Sequence, residues 1–173
     1  MNAEYFDKNQ SASVDLFLFM GQSNMAGRGI VTTEHGQGAP ALISGAGYEY
    51  RAVSSPDRLH PISEPFGRFE NRKGGIDDGD MKTGSMATAF ANAYYEKTGI
   101  PIVGVSASKG GSRIDSWQPG GDFLNDTIAR LNSARNFLTA NHYFIRHQFM
   151  LWCQGESDGD ISKSGEQYRR EFE

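Results

Sequence analysis

Three short apolar runs, each closed by a glycine- or serine-rich polar stretch, limit what this 173-residue chain can fold into. They are Val14-Asp15-Leu16-Phe17-Leu18-Phe19-Met20, Ile100-Pro101-Ile102-Val103-Gly104-Val105 and Phe144-Ile145-Arg146-His147-Gln148-Phe149-Met150-Leu151-Trp152. Each has strand length and is rich in β-branched or aromatic residues. Near-continuous apolarity is the mark of a strand covered on both faces, and such strands are usually parallel. Pro101 fits the start of its strand, where a missing N–H is tolerated. Between the runs lie two helical patterns. In residues 85–97, Met86, Phe90, Ala93 and Tyr94 fall on one stripe, and Gly99 supplies a stop. In residues 122–139, Leu124, Ile128, Leu131 and Phe137/Leu138 recur at helical spacing. Strand, helix, strand, helix, strand is the α/β alternation and predicts a parallel sheet with helices on its faces.

Size and composition agree with one domain, 1–173, able to bury about 70% of its unfolded surface. The single cysteine, Cys153, excludes an internal disulfide framework and zinc-cluster spacing, and no metal constellation or cofactor motif is evident. A net charge of -4 argues against a nucleic-acid partner held by phosphate contacts. No apolar run reaches about 18 residues, so no membrane span is expected. The first residues, Met1 to Lys8, lack the pattern of an export signal, and the expected location is cytoplasmic, with export left open. Residues 27–84 form a long stretch of Gly, Pro and charge with weak strand signals such as 48–53, and long irregular connections are usually functional. At the other end, Ser164 and Gln167 read as a capping box for a helix over 164–173. That helix begins without an apolar face completed, so the domain is expected to be incomplete at its C-terminus. Its uncovered edge would invite a second copy or a complementing C-terminal segment.

The chemistry sits where each run ends, since ligands bind at the carboxyl ends of strands in open parallel sheets. After the first run comes Gly21-Gln22-Ser23-Asn24-Met25-Ala26-Gly27: a serine among small residues, on a sharp turn that lets a substrate approach. Read alone, Ser23 is equally an ordinary helix cap. Gln22 and Asn24, which flank it, are the candidate substrate contacts. After the second run, Gly110-Gly111 in 106–117 can offer backbone N–H groups to a developing oxyanion, or can be a simple turn. After the third, Gln154 brings a side-chain donor, and Glu156 and Asp158 bring carboxylates able to orient a histidine or bind a sugar hydroxyl.

These blocks, GQSNMAGRG at 21–29, GGSRIDSW at 110–117 and WCQGESD at 152–158, resemble the conserved blocks of the SGNH hydrolase superfamily. Within it they are most similar to the sialate O-acetylesterase-like branch, carbohydrate esterase family 6. The resemblance implies a flavodoxin-like three-layer α/β/α fold with a parallel sheet, lacking here a C-terminal strand and helix. It implies removal of O-acetyl groups from carbohydrate, of acetylxylan or O-acetylated sialic acid type, through an acyl-enzyme on Ser23. It places the oxyanion hole at Ser23, Gly110 or Gly111, and Gln154, with Glu156 supporting the histidine. The family's histidine belongs to a C-terminal Asp-x-x-His block that has no counterpart after Trp152. The four histidines present, His35, His60, His142 and His147, are each expected to be ordinary surface or core residues. Two other readings stand beside the esterase. One is a non-catalytic carbohydrate-binding module, in which Trp117, Tyr48 and Tyr50 stack on sugar rings. The other is an SGNH hydrolase of lysophospholipase or thioesterase type.

Overall fold

The computed structural model describes residues 12–31 and 38–173. Its strands are β1 (Ser13–Gly21), β2 (Gly47–Arg51), β3 (Ser55–Pro61), β4 (Ile102–Ser108) and β5 (Phe144–Cys153). Its helices are α1 (Ser23–Ala26), α2 (Ala87–Thr98), α3 (Asp122–Ala140), α4 (Glu156–Asp160) and α5 (Gly165–Phe172). The five strands form one sheet in the order β3-β2-β4-β1-β5. All neighbours run parallel except β2 and β3.

β1 lies between β4 and β5 and is buried along nearly its whole length, as its near-continuous apolar sequence, interrupted by Asp15, leads one to expect. Its side chains alternate between two cores. Val14, Leu16, Leu18 and Met20 join Val103, Val105, Ala134 and Leu138 on the side of α3. Phe17 and Phe19 join Phe66, Ala87 and Ala91 on the side of α2. Helix, sheet and helix make three layers, the α/β/α architecture expected from the alternation.

The third apolar run departs from expectation. β5 is an edge strand and mostly exposed, with Phe149 at 42% and Met150 at 50% exposure, because among the described residues no element covers its outer side. The stripe expected on α2 is also rotated. Ala87 and Ala91 are buried and Phe90 and Tyr94 pack beside them, while Met86 and Ala93 face outward. On α3 the buried face carries charge. Arg130 is fully enclosed, pairs with Asp126 at 2.9 Å, and donates to the carbonyls of Ser106, Glu70 and Ile76. Ile128, expected in the stripe, is exposed.

The stretch 27–84 is less irregular than its composition suggests. The signal at 48–53 is β2, which continues as an antiparallel pair with β3. Two carboxylates, Glu70 buried and Glu64 half-buried, hold described parts of the remainder. Glu70 accepts from Val53 N–H and Ser54 N–H, and Glu64 accepts from Phe66, Ser85 and Thr88 N–H. At the far end, the Ser164–Gln167 capping box is present on α5.

Candidate functional site

The register of the sheet brings the three motifs to one rim. Gly21, the last residue of β1, lies opposite Ser108 at the end of β4 and opposite Cys153 at the end of β5. Beyond the strands the three connections are stitched together: Lys109 N–H donates to Gly21 O and Gln22 N–H to Cys153 O, each at 2.9 Å. Gly21 has φ +142°, and a Cβ there would meet Cys153 O at 2.0 Å. Only glycine lets β1 turn this close to β5.

Ser23 opens the four-residue helix α1 and is half-buried. Among the described residues nothing is hydrogen-bonded to its hydroxyl. Asn24 beside it donates through Nδ2 to Glu156 Oε1, which joins the first motif to the third at the exposed rim.

Gln22 points the other way. It is buried, and its Oε1 accepts from Gln154 Nε2 (3.0 Å), Gly155 N–H (3.2 Å) and Ser157 N–H (3.2 Å), while its Nε2 donates to Ser157 Oγ. Expected as a substrate contact, it instead shapes the third loop from within. Gln154 is also turned inward. Its Nε2 lies within 3.0 Å of Gln22 Oε1, Ser112 O and Asp158 Oδ2, and its Oε1 accepts from Tyr168 OH at 2.7 Å. An amide has two N–H donors. With three acceptors around it, neither is spare for an oxyanion in this arrangement. Asp158 is buried and receives Ile114 N–H and Lys163 as well. Burial alone would raise its carboxyl, but the bonds from Gln154, Lys163 and Ile114 outweigh that and hold it below the usual range.

The glycine pair divides into two roles. Gly110 N–H donates to Asp78 Oδ2 at 3.1 Å and is not free. Gly111, at φ +70° and exposed, has no partner for its N–H among the described residues. Of the backbone donors expected at an oxyanion hole, the structure leaves Gly111 and the first N–H groups of α1.

Sequence reasoning missed Asp78, Arg28, Lys82 and Tyr168. Lys82 is buried and donates to Ser106 Oγ (2.8 Å) and Ser108 Oγ (3.3 Å) at the end of β4. Burial lowers its ammonium to about 8, partly offset by Asp78. Tyr168 of α5 accepts from Trp152 Nε1 and bonds Gln154. Neither sits in a motif, so spacing offered no signal for them.

No described histidine reaches Ser23. His147 lies on β5 opposite Asp15, six residues or about 20 Å from the rim end of its strand. Its Nδ1 is 3.1 Å from Asp15 Oδ1, and Asp15 is fully enclosed and also accepts from Tyr94 OH. His60 is on β3, three strands from β1, and His142 lies in the turn before β5. His35 falls outside the described residues. The aromatics considered for sugar stacking are mainly interior. Tyr50 and Trp117 are buried, the latter donating to Ser112 Oγ and packing on Trp152, and Tyr48 packs against the α3-side core. Among the described residues no three His, Cys, Asp or Glu side chains gather as a metal site, and no helix is long and apolar enough to cross a membrane.

The sequence profile of the SASA family, described as carbohydrate esterase, sialic acid-specific acetylesterase, matches residues 13–173, which include all three rim motifs. The chain belongs to this carbohydrate esterase family. It is 30% identical over 146 residues, 83% of its length, to a probable carbohydrate esterase of Arabidopsis thaliana. The matched region is 54% of that relative, so the chain spans about half the length of this curated relative. A crystal structure from the same plant superposes with a TM-score of 0.59 at 24% identity, covering 91% of this chain and 68% of the other. That likeness supports the three-layer fold.

Proposed function

We propose that the chain is the nucleophile-bearing part of a serine esterase that removes O-acetyl groups from carbohydrate. One observation carries the reading: Ser23, with no hydrogen-bond partner for its hydroxyl among the described residues, sits on the rim where all three motif loops converge, and Glu156 is bonded to its neighbour Asn24. In this mechanism the Ser23 hydroxyl attacks the acetyl carbonyl while a base takes its proton. The C–O bond to the sugar breaks, the sugar oxygen takes a proton, and water then releases acetate from Ser23. The oxyanion is met by N–H groups at the start of α1 and by Gly111. Glu156 is the acid placed to orient the base, and that base comes from outside the described residues. Gln22 and Gln154 act by holding the loops in place. The family description and the Arabidopsis relative support carbohydrate as the leaving group.

The test is hydrolysis of p-nitrophenyl acetate and of an O-acetylated sugar by the chain and by Ser23→Ala. Turnover that falls about 10³-fold or more in the variant is the expected result. Equal, near-background rates in both would reject the esterase reading for this chain. The absence of any described histidine at the rim favours one second reading, a carbohydrate-binding module. That reading predicts calorimetric binding of the acetylated sugar without turnover.

A further inference from the structure

Segment 78–84 lies between two of the three rim motifs and bonds to both. At one end Gly29 N–H donates to Gly84 O at 2.8 Å, Thr83 N–H donates to Gly27 O at 3.1 Å, and Arg28 forms a parallel bridge with Gly84. At the other end is Asp78, whose side chain is 4% exposed. Its Oδ2 accepts from Arg28 Nη2 at 2.8 Å and from Gly110 N–H at 3.1 Å, and its Oδ1 lies 3.8 Å from Lys109 Nζ. The backbone beneath is pinned, since Asn71 Oδ1 accepts from both Asp78 N–H and Gly79 N–H. Lys82 ties the same segment to Ser106 and Ser108 of β4.

Space agrees with the bonding. A Cβ at Gly110 would lie 2.4 Å from Arg28 Nη2 and within 3.4 Å of both Asp78 carboxylate oxygens. A side chain at Gly110 would therefore crowd the clamp and displace the Arg28 guanidinium from it. At Gly111 it is the φ of +70° that favours glycine, with open space around it. The two are the central residues of a turn closed by Ser112 N–H on Lys109 O.

We infer that Asp78 is a positioning residue of the rim: through Gly110 N–H and Arg28 it fixes the Lys109–Ser112 turn, leaving Gly111 as the loop's donor to a developing oxyanion. The effect on rate rests on the esterase reading, whereas the clamp itself does not. Asp78 touches no reacting atom. Charge-assisted bonds of this kind are stronger than neutral ones, and removing the carboxylate leaves a guanidinium and an N–H without their partner.

The experiment measures amide hydrogen exchange and proton shifts of Gly110 and Gly111 in the full chain, in Asp78→Asn and in Asp78→Ala, beside kcat and KM for p-nitrophenyl acetate. Asp78→Ala is expected to speed Gly110 exchange about tenfold or more, while Gly111 exchanges fast throughout. Asp78→Asn keeps an acceptor, so Gly110 stays partly protected while its amide proton moves upfield. In both variants kcat falls, by about 10- to 100-fold in Asp78→Ala, with KM within about twofold. Unchanged Gly110 exchange in Asp78→Ala overturns the clamp. Should that variant not fold, an unchanged Gly110 shift in Asp78→Asn overturns it. Loosened Gly110 with unchanged Ser23-dependent kcat overturns the positioning role. Wild-type rates no better than those of Ser23→Ala remove the esterase reading, and exchange at Gly110 then decides the clamp alone.

Discussion

At the scale of the residue, Lys82 is a charged side chain buried at a cost. Burial brings its ammonium down to about 8 from the ordinary 10.5, against the pull of Asp78. The sign of the consequence follows from proton counting. Between about pH 8 and pH 10.5 the unfolded chain holds a proton on this group that the folded chain has released, so the Lys82 contribution to stability rises with pH across that window. Below it both states are charged and the full cost, about 3 kcal/mol, is present. Tyr94, Tyr48, Tyr168 and Cys153, all raised by burial, pull the other way, so the test compares two chains: the denaturant midpoint of the natural chain is expected to rise relative to that of Lys82→Met between about pH 8 and pH 10. A gap between the two chains that stays constant across that window would place the titration elsewhere.

Among the elements, α5 shows how little of the site is local. Tyr168 reaches from this short capped helix to Trp152 Nε1 and to Gln154, so the third motif takes its shape from a helix ten residues further on. Tyr168→Phe is expected to cost about 1–3 kcal/mol and to shift the Trp152 indole N–H resonance, with both effects read from one set of spectra and melts. An unshifted indole signal would show that the hydroxyl does not reach it. The same comparison marks what was legible in the sequence. β1, β4 and β5 are readable because each is a largely apolar run of strand length, but such a run does not say which strand lies at the edge, and β5 does. β3 was unreadable. Ser55–Pro61 is polar with a proline at each end, tolerable only because its outer side pairs with nothing among the described residues. The motif serine, glycines and carboxylates stand in contiguous blocks and are legible as candidates from spacing alone. Asp78 and Tyr168 are single residues brought in from afar, and which way Gln22 and Gln154 point is decided only by packing.

For the whole molecule, the asymmetry of the sheet matters most. One edge, β3, is polar and carries prolines, as edges that avoid pairing usually do. The other, β5, exposes Phe144, Phe149 and Met150 beside backbone that pairs with nothing further among the described residues. Sedimentation of the chain is expected to depend on concentration, and Phe144→Lys with Met150→Lys to shift it towards the monomer. A natural chain monomeric at every concentration would rule this out. The brace between the rim motifs bears on a different matter, namely where the chain tolerates changes in length. Residues 38–40 belong to no strand or helix and lie at least partly exposed, so insertions there are absorbed. Between Asp78 and Gly84, however, one added residue would slide the Asp78 carboxylate away from Gly110 or the Gly84 carbonyl away from Gly29. Within one outwardly irregular region, then, drift in length is free in one part and closed in another, and the boundary is drawn by seven residues that belong to none of the three motifs.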